Sequence, residues 1–140
     1  EHGGGLWVGK DYAKKGAYHR EPIKNLSHSA TAMQAARFYY LLDTNRLVGE
    51  ELTITMKQIL SKPGISHKFV RGLQSIPDAE IYRKSGSWGE YHADSALVES
   101  NGYKFIIVGL AKHHQGGQWL AKIAESLHNL VVDSERPETD

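Results

Sequence analysis

The sequence predicts an α+β fold in which one antiparallel sheet carries helices on both faces. Apolar residues recur at helical spacing after Thr31 and again over 120–131. Between these stretches, Asn101-Gly102 separates two segments of strand character, and this dipeptide is a strong signal of a β-hairpin. Residues 105–108 (Phe-Ile-Ile-Val) are apolar on both sides of a strand. We therefore expect a central strand that is covered by helices on each side.

The first 29 residues show a period of neither 2 nor 3.6, and we expect an extended, irregular lead-in there. Ser29 or Thr31 can then cap a helix that runs to about Asp43. The spacing of its apolar residues predicts one buried face. That face consists of Ala32, Ala36, Tyr39 and Leu42.

Two further helical segments are predicted before the sheet begins. One spans about 51–61 and ends before Pro63-Gly64, because proline cannot continue a helix. A shorter one is capped by Ser66 and reaches Leu73. The residues of the longer helix that we expect to be buried are Leu52, Met56, Ile59 and Leu60.

Three predicted strands follow Pro77, over 79–87, 92–100 and 103 to about 112. Gly116-Gly117 then breaks the chain before a terminal amphipathic helix. The apolar stripe of that helix is Leu120, Ile123, Ala124, Leu127, Leu130 and Val131. An apolar strand such as 105–108 needs a neighbouring strand on each side, and three strands are too few to build a sheet covered on both faces. We therefore expect that part of the sheet is supplied by residues outside this chain.

The composition is typical of a single globular domain and excludes several classes of function. Lys and Arg number 17 against 16 Asp and Glu, so no net field attracts nucleic acid. There is no cysteine to serve as nucleophile or thiolate ligand. No apolar run approaches the ~20 residues of a membrane span, and the Gly-rich start does not resemble a signal peptide. We expect residues 1–132 to be one portion of a longer domain, followed by a polar tail over 133–140.

The segment Lys84-Ser85-Gly86-Ser87 lies at the end of a predicted strand and contains groups suited to an anionic substrate. A lysine and a hydroxyl on a rigid strand can bind a carboxylate, and a glycine lets a ligand approach the backbone. The N–H of Ser87 can then stabilise a developing oxyanion. The alternative is an ordinary solvated strand end with a glycine for the turn.

Glu21 and Asn25 lie four residues apart in the lead-in, in the segment Glu-Pro-Ile-Lys-Asn. A carboxylate and an amide at this spacing could hold one water molecule between them and activate it. The alternative is a solvated acidic residue in a loop.

Together these motifs resemble the class A serine β-lactamase and penicillin-binding family. Glu21-x-x-x-Asn25 is similar to the water-activating loop of that family, and Lys84-Ser85-Gly86 is similar to its Lys-Thr-Gly element on the third strand. The resemblance implies that Lys84 and Ser85 bind the substrate carboxylate, with Gly86 beside them. It also implies that Ser87 donates its N–H to the oxyanion, that Glu21 activates the deacylating water and that Asn25 orients it.

The resemblance covers only the second half of the family's catalytic domain. No serine in the chain has a lysine three residues later, so the nucleophile motif Ser-x-x-Lys is absent, as is Ser-x-Asn. We expect this chain to be inactive alone and to need the missing N-terminal half, either covalently linked or as a separate chain. The implied whole is a serine hydrolase, periplasmic or secreted, without a cofactor. It would form an acyl-enzyme with a β-lactam or another small-molecule or peptide substrate that carries a carboxylate.

Two other functions remain open on the sequence. One is a non-catalytic binding or structural fragment of the same fold, and the other is a D-Ala-D-Ala carboxypeptidase-like enzyme. Glu21 favours hydrolysis, because penicillin-binding carboxypeptidases and transpeptidases generally lack that base.

Histidines also raise the question of a metal site, with His92-x-Asp94 and His113-His114 as candidates. Two ligands do not make a site, so no metal is predicted. We expect a structural hydrogen bond between His92 and Asp94 instead, because alternation places both on one face of a strand.

Overall fold

A computed structural model describes residues 5–9 and 28–134 of the chain. The described residues form helices and strands in an order that agrees with the α+β prediction. In chain order these are β1 (Leu6–Val8), β2 (His28–Ala30), α1 (Ala32–Asp43), α2 (Glu50–Leu60), α3 (Phe69–Leu73), β3 (Glu80–Trp88), β4 (Tyr91–Ser100), β5 (Tyr103–Lys112) and α4 (Gly116–Ser134).

The main sheet is antiparallel, with the order β3-β4-β5. Asn101 and Gly102 connect β4 to β5, with φ values of 51° and 81°. Positive φ at both central positions is the geometry that a two-residue hairpin requires, so the predicted hairpin is confirmed. Gly89, at φ 54°, turns the chain between β3 and β4.

Helices cover both faces of this sheet, as predicted. On one face, α1 contributes the buried Tyr39 and Leu42, and the sheet contributes Leu97. On the other face, α3 and α4 enclose a separate apolar core with the sheet. That core consists of Phe69, Leu73, Ala96, Val98, Ile107, Leu120 and Ala124.

The described residues supply β5 with one neighbouring strand. β4 is the middle strand, and β5 lies at the edge within the described part of the chain. Ile107 is buried, but Leu110 is 56% exposed. Because the second neighbour of β5 is expected from outside this chain, its central position in the complete sheet stays a prediction.

The lead-in is not wholly irregular. β1 and β2 pair antiparallel, with Leu6 opposite Ala30 and Trp7 opposite Ser29. Strands of three residues are too short to show a period in the sequence. Thr31 caps α1, since its Oγ1 accepts a hydrogen bond from the N–H of Gln34 at 3.2 Å.

Several local predictions of burial and capping were also wrong. In α2, Leu52 and Ile59 are 58% and 69% exposed, because the helix packs on β3 through a different side and buries Thr53. Lys68, not Ser66, occupies the N-cap of α3. The predicted break at Gly116-Gly117 is the first turn of α4.

The terminal helix buries only part of its predicted stripe. Leu120 and Ala124 are buried, whereas Ile123, Leu127 and Leu130 are exposed. The helix extends through Ser134, so the first two residues of the expected tail are helical. Among the described residues, no helix has the length and apolar character that crossing a bilayer requires.

Candidate active site

Residues 84–87 lie near the end of β3, at the open edge of the sheet. Lys84 lies opposite Ser95 of β4, and Ser87 lies opposite His92. Because side chains alternate along a strand, Lys84 and Gly86 share the face that carries α1, whereas Ser85 and Ser87 share the face that carries α3 and α4. The segment therefore presents its lysine and its hydroxyls on opposite sides of one strand.

On the α1 face, a chain of hydrogen bonds supports the backbone at Lys84. Tyr39 Oη donates to the carbonyl of Ser95 at 2.8 Å, and Ser95 Oγ donates to the carbonyl of Lys84 at 3.0 Å. Burial raises the pKa of the Tyr39 phenol, which therefore stays protonated and remains a donor. These contacts fix α1 against β3 and β4 beneath the exposed Lys84 side chain.

On the opposite face, Arg83 and Asp94 form a buried ion pair. Arg83 Nε lies 2.8 Å from Asp94 Oδ1, and Arg83 Nη2 lies 2.9 Å from Asp94 Oδ2. Arg83 also donates to the carbonyls of Ile65 and His67, and the N–H of Phe69 donates to Asp94 Oδ2 at 3.0 Å. Every charged group of the pair is hydrogen-bonded, as a buried pair requires. The pair holds the loop before α3 against β3 and β4.

The loop held in this way carries Lys68 beneath the strand. Lys68 is 2% exposed, and its Nζ donates to Gly86 O at 2.6 Å, to Ser87 Oγ at 2.9 Å and to Ala93 O at 3.0 Å. Three acceptors satisfy the three donors of an ammonium group. Burial lowers the pKa of Lys68, as does the positive charge of Arg83, whereas Asp94 opposes the change.

Two histidines contact the serine hydroxyls on the same face. His67 Nε2 lies 3.4 Å from Ser85 Oγ, and His92 Nδ1 lies 3.3 Å from Ser87 Oγ. Burial lowers the pKa of His67, and the nearby charge of Arg83 lowers it further. His67 is therefore neutral at pH 7, where it can accept a hydrogen bond from Ser85.

Two cavities flank residues 84–87. One, of about 920 Å³ on the α1 side, has walls that include Lys84, Gly86, Trp88, Tyr91, Leu110 and Lys112. The other, of about 550 Å³, has walls that include His67, Lys68, Arg71, His92, His114 and Lys122. Within the part of the chain that the structure describes, no acidic residue lines either cavity. Both cavities suit a ligand with negative charge, and the first adds aromatic and aliphatic surface.

The structure brings only some of the predicted site residues together. Lys84, Ser85, Gly86 and Ser87 share one strand end, and no described residue other than its two chain neighbours has an atom within 4 Å of the position a Cβ would take at Gly86. That open space agrees with the predicted close approach of a ligand. Glu21 and Asn25 lie outside the described residues.

The expected hydrogen bond between His92 and Asp94 was wrong. Asp94 pairs with Arg83, because the guanidinium reaches both carboxylate oxygens from the neighbouring strand. His92 contacts Ser87 instead, and its Nε2 is buried with no hydrogen-bond partner among the described residues. Over 5–9 and 28–134, no group of three or more metal-ligating side chains converges.

Two residues that organise this site, Lys68 and Arg83, were not selected from the sequence, and Asp94 was considered only as a partner of His92. Arg83 and Asp94 do show a pattern, because each lies two residues from a core apolar residue of its own strand, Ile81 and Ala96 respectively. Lys68 has no such signal, because its burial depends on the path of a loop.

Comparison with known proteins agrees with the predicted family. The model of the Beta-lactamase enzyme family matches residues 10–131. No curated protein shows a significant match to the chain. A solved structure of PBP-A is similar, with a TM-score of 0.69 at 11% identity over 85% of this chain and 47% of that chain.

Two further solved structures are similar to a comparable degree. A β-lactamase from Sphaerobacter thermophilus DSM 20745 has a TM-score of 0.68 at 16% identity, over 79% of this chain and 43% of its own. A mutant of PBP-A, in an acyl-enzyme complex with penicillin G, has a TM-score of 0.69 at 11% identity, over 86% and 48%. This chain spans less than half the length of each of these structures, and the likeness confirms a β-lactamase/transpeptidase-like fold. Because the family model matches most of its length, the chain belongs to the Beta-lactamase enzyme family.

Proposed function

We propose that this chain is part of a serine hydrolase that forms an acyl-enzyme with a β-lactam, or with a related amide or ester carrying a carboxylate, and then hydrolyses it. One observation gives the main support for the proposal. Lys84, Ser85, Gly86 and Ser87 lie on an edge strand between two cavities whose described walls hold no acidic residue. Such a strand can bind a carboxylate and, through a backbone N–H, the oxyanion of a tetrahedral intermediate.

The residues have distinct roles in this proposal. Lys84 and Ser85 bind the substrate carboxylate, and the N–H of Ser87 stabilises the oxyanion. Glu21 acts as the general base for the water that cleaves the acyl-enzyme, and Asn25 orients that water. The attacking serine is not among the residues of this chain, which lacks Ser-x-x-Lys.

We propose that the nucleophile comes from an N-terminal half of the same domain, covalently linked or separate. The exposed Leu110 on β5 and the exposed Ile123 and Leu130 on α4 support this, because they leave apolar surface uncovered among the described residues. Family membership supports a periplasmic or secreted location. It also supports an acyl-enzyme, since one of the similar structures is such a complex of PBP-A with penicillin G.

The test is acylation of the native gene product that contains this chain, with the 140-residue chain alone as the matched control. We expect a fluorescent penicillin to label the native product covalently, with a mass increase equal to the intact penicillin, and a chromogenic cephalosporin to be turned over. The chain alone should show neither reaction.

Other results would favour the alternatives. Stable labelling by penicillin, together with release of D-alanine from a D-Ala-D-Ala peptide and no cephalosporin turnover, would identify a carboxypeptidase-like enzyme. Absence of any covalent adduct in the native product would contradict the hydrolase and favour a non-catalytic fragment. Labelling of the chain alone would contradict the claim that the nucleophile lies elsewhere.

A further inference from the structure

We propose that Lys68 is a positioning residue that sets the direction and the donor strength of the Ser87 N–H. The inference rests on the proposed function, in which that N–H stabilises the oxyanion. The Nζ of Lys68 is occupied by three acceptors on β3 and β4. It acts through the peptide unit that joins Gly86 to Ser87.

The geometry of that peptide unit links the two groups. The Gly86 carbonyl and the Ser87 N–H belong to one planar trans unit, so they point in opposite directions. Lys68 Nζ binds Gly86 O at 2.6 Å and also Ala93 O, across the ladder on β4, at 3.0 Å. The Gly86 carbonyl therefore points inward, toward β4. The N–H of Ser87 points outward, to the open edge of the sheet.

The charge on Lys68 affects the strength of this donor. A hydrogen bond from an ammonium is stronger than one from a neutral donor, and a polarised carbonyl makes the N–H of the same amide more acidic. The contact is shielded from water, because Lys68 is 2% exposed. The third hydrogen bond of Lys68, to Ser87 Oγ at 2.9 Å, restrains Ser87 through its side chain.

The backbone at Lys68 indicates that this placement is enforced. Its φ is 52° and its ψ is −124°, a conformation that is uncommon for a residue other than glycine. The next residue anchors it, since the N–H of Phe69 donates to the buried Asp94 and the Phe69 ring lies in the core. A lysine needed only to fill space would not require three polar contacts, two of them with Gly86 and Ser87.

A pair of chemical variants can separate the ammonium from the shape of the side chain. The chain contains no cysteine, so in Lys68→Cys the new thiol is unique in it. Alkylation of the unfolded variant with 2-bromoethylamine, followed by refolding, gives a thioether analogue of lysine. Alkylation with 1-bromopropane gives a neutral group of nearly the same size. Both forms are prepared in the native gene product that contains this chain.

The direct readout is the NMR signal of the Ser87 amide together with the Gly86 carbonyl carbon. We expect the aminoethyl form to reproduce the unmodified chemical shifts. The propyl form should move both signals while the amides at the other end of β3 stay in place. Identical Ser87 shifts in the two forms would overturn the proposal.

The kinetic readout measures two quantities separately: the Kd of a penicillin and the rate constant with which that penicillin acylates the protein. Losing one oxyanion donor typically lowers the rate by ~10²–10³. Weakening the donor should have a smaller effect. We therefore expect the propyl form to have an acylation rate constant about tenfold lower, with Kd unchanged. A loss confined to Kd would contradict the positioning role. If the native product is not acylated at all, the proposed function fails, whereas the NMR comparison still tests the action of Lys68 on Ser87.

A third measurement covers the case in which the propyl form does not fold. In the unmodified protein, the ¹³Cε of Lys68 and the ¹⁵N of Ser87 are followed through alkaline pH. We expect both signals to change with one shared midpoint. A Ser87 nitrogen that does not respond when Lys68 titrates would overturn the proposal.

Discussion

Arg83 and Asp94 join β3 to β4 through a bidentate ion pair that is almost completely buried, with side chains 3% and 0% exposed. The pair also holds the loop that carries His67 and Lys68, because Arg83 donates to the His67 carbonyl and Asp94 accepts from the N–H of Phe69. One ion pair therefore connects the stability of the sheet to the placement of the groups beneath Ser85 and Ser87.

Asp94→Asn should lower the free energy of unfolding by about 3–5 kcal/mol, because it leaves the Arg83 guanidinium buried without a counter-charge. Urea unfolding at pH 7 measures the change. Lys104→Met is the matched control, since Lys104 pairs with Asp43 at a half-exposed site and should contribute at most about 1 kcal/mol. The double variant Arg83→Met/Asp94→Leu should recover most of the loss. A double variant as unstable as Asp94→Asn would show that the unpaired charge is not the cause.

Gly72→Ala should destabilise the protein through the packing of α3 on α4. A Cβ at this position would collide with the backbone carbonyl of Ala121, which cannot move without displacing α4. Overpacking of this kind costs about 1–3 kcal/mol. Gly64→Ala is the control, because within the described ranges no residue beyond its two chain neighbours has an atom within 4 Å of its Cβ position. Equal urea midpoints for the two variants would contradict the close approach of the helices.

Asp43 should make stability depend on pH in the acid range. Burial raises the pKa of its carboxyl, but hydrogen bonds from Lys57 and Lys104 outweigh burial and lower the pKa below the usual 3.8. A depressed folded pKa gives stability that is complete above the unfolded value and is lost as the pH falls from about 3.8 through the folded value.

Asp43→Asn removes this titration. We expect the unfolding free energy of the unmodified protein to fall, between pH 6 and pH 3, by about 0.2–1 kcal/mol more than that of the variant. Urea unfolding at several pH values across this range tests the difference. Parallel curves for the two proteins would show that the contacts with Lys57 and Lys104 do not stabilise the charged carboxylate.

Local signals account for the parts of the fold that could be predicted. The Asn101-Gly102 hairpin depends on two residues that tolerate positive φ, and this chemistry is visible in the sequence. The exposed side of α2 depends on which elements pack together. No local pattern encodes that choice, so the burial of Leu52 and Ile59 was predicted wrongly.

The candidate site also contains some residues that could be predicted from the sequence and others that could not. Lys84-Ser85-Gly86 is contiguous and belongs to a recognisable motif. Lys68 enters the site through a loop whose direction is set by the Arg83–Asp94 pair and by a positive φ at a lysine. Neither feature has a local signature, so the sequence indicates the strand residues proposed to bind substrate and does not indicate the lysine beneath them.

Lys84→Met should slow acylation by penicillin in the native gene product by roughly 10²–10³, because in the proposed function it removes the charge that binds the substrate carboxylate. Lys112→Met is the matched control. Lys112 lines the same cavity, but its Nζ lies over the Tyr91 ring, 5.3 Å from the ring centre. Stopped-flow labelling with a fluorescent penicillin measures both variants. An equal decrease in the acylation rate for the two variants would indicate that acylation depends on the total charge of the cavity and that Lys84 has no specific role.

Glu21→Gln should separate the two halves of the proposed reaction. If Glu21 is the general base for deacylation, the variant should still react with penicillin but release the product slowly, since proton transfer by such a base typically contributes ~10²–10⁴ in rate. Intact-mass spectrometry after mixing should then show a persistent penicilloyl adduct, whereas the unmodified native product returns to its free mass. Glu90→Gln is the control, because Glu90 lies at the exposed turn between β3 and β4. Its backbone carbonyl accepts from the N–H of His113, and its side chain bonds no residue that the structure describes. An adduct that decays equally fast in both variants would remove Glu21 from the mechanism, and an adduct that never forms in Glu21→Gln would place it in acylation instead.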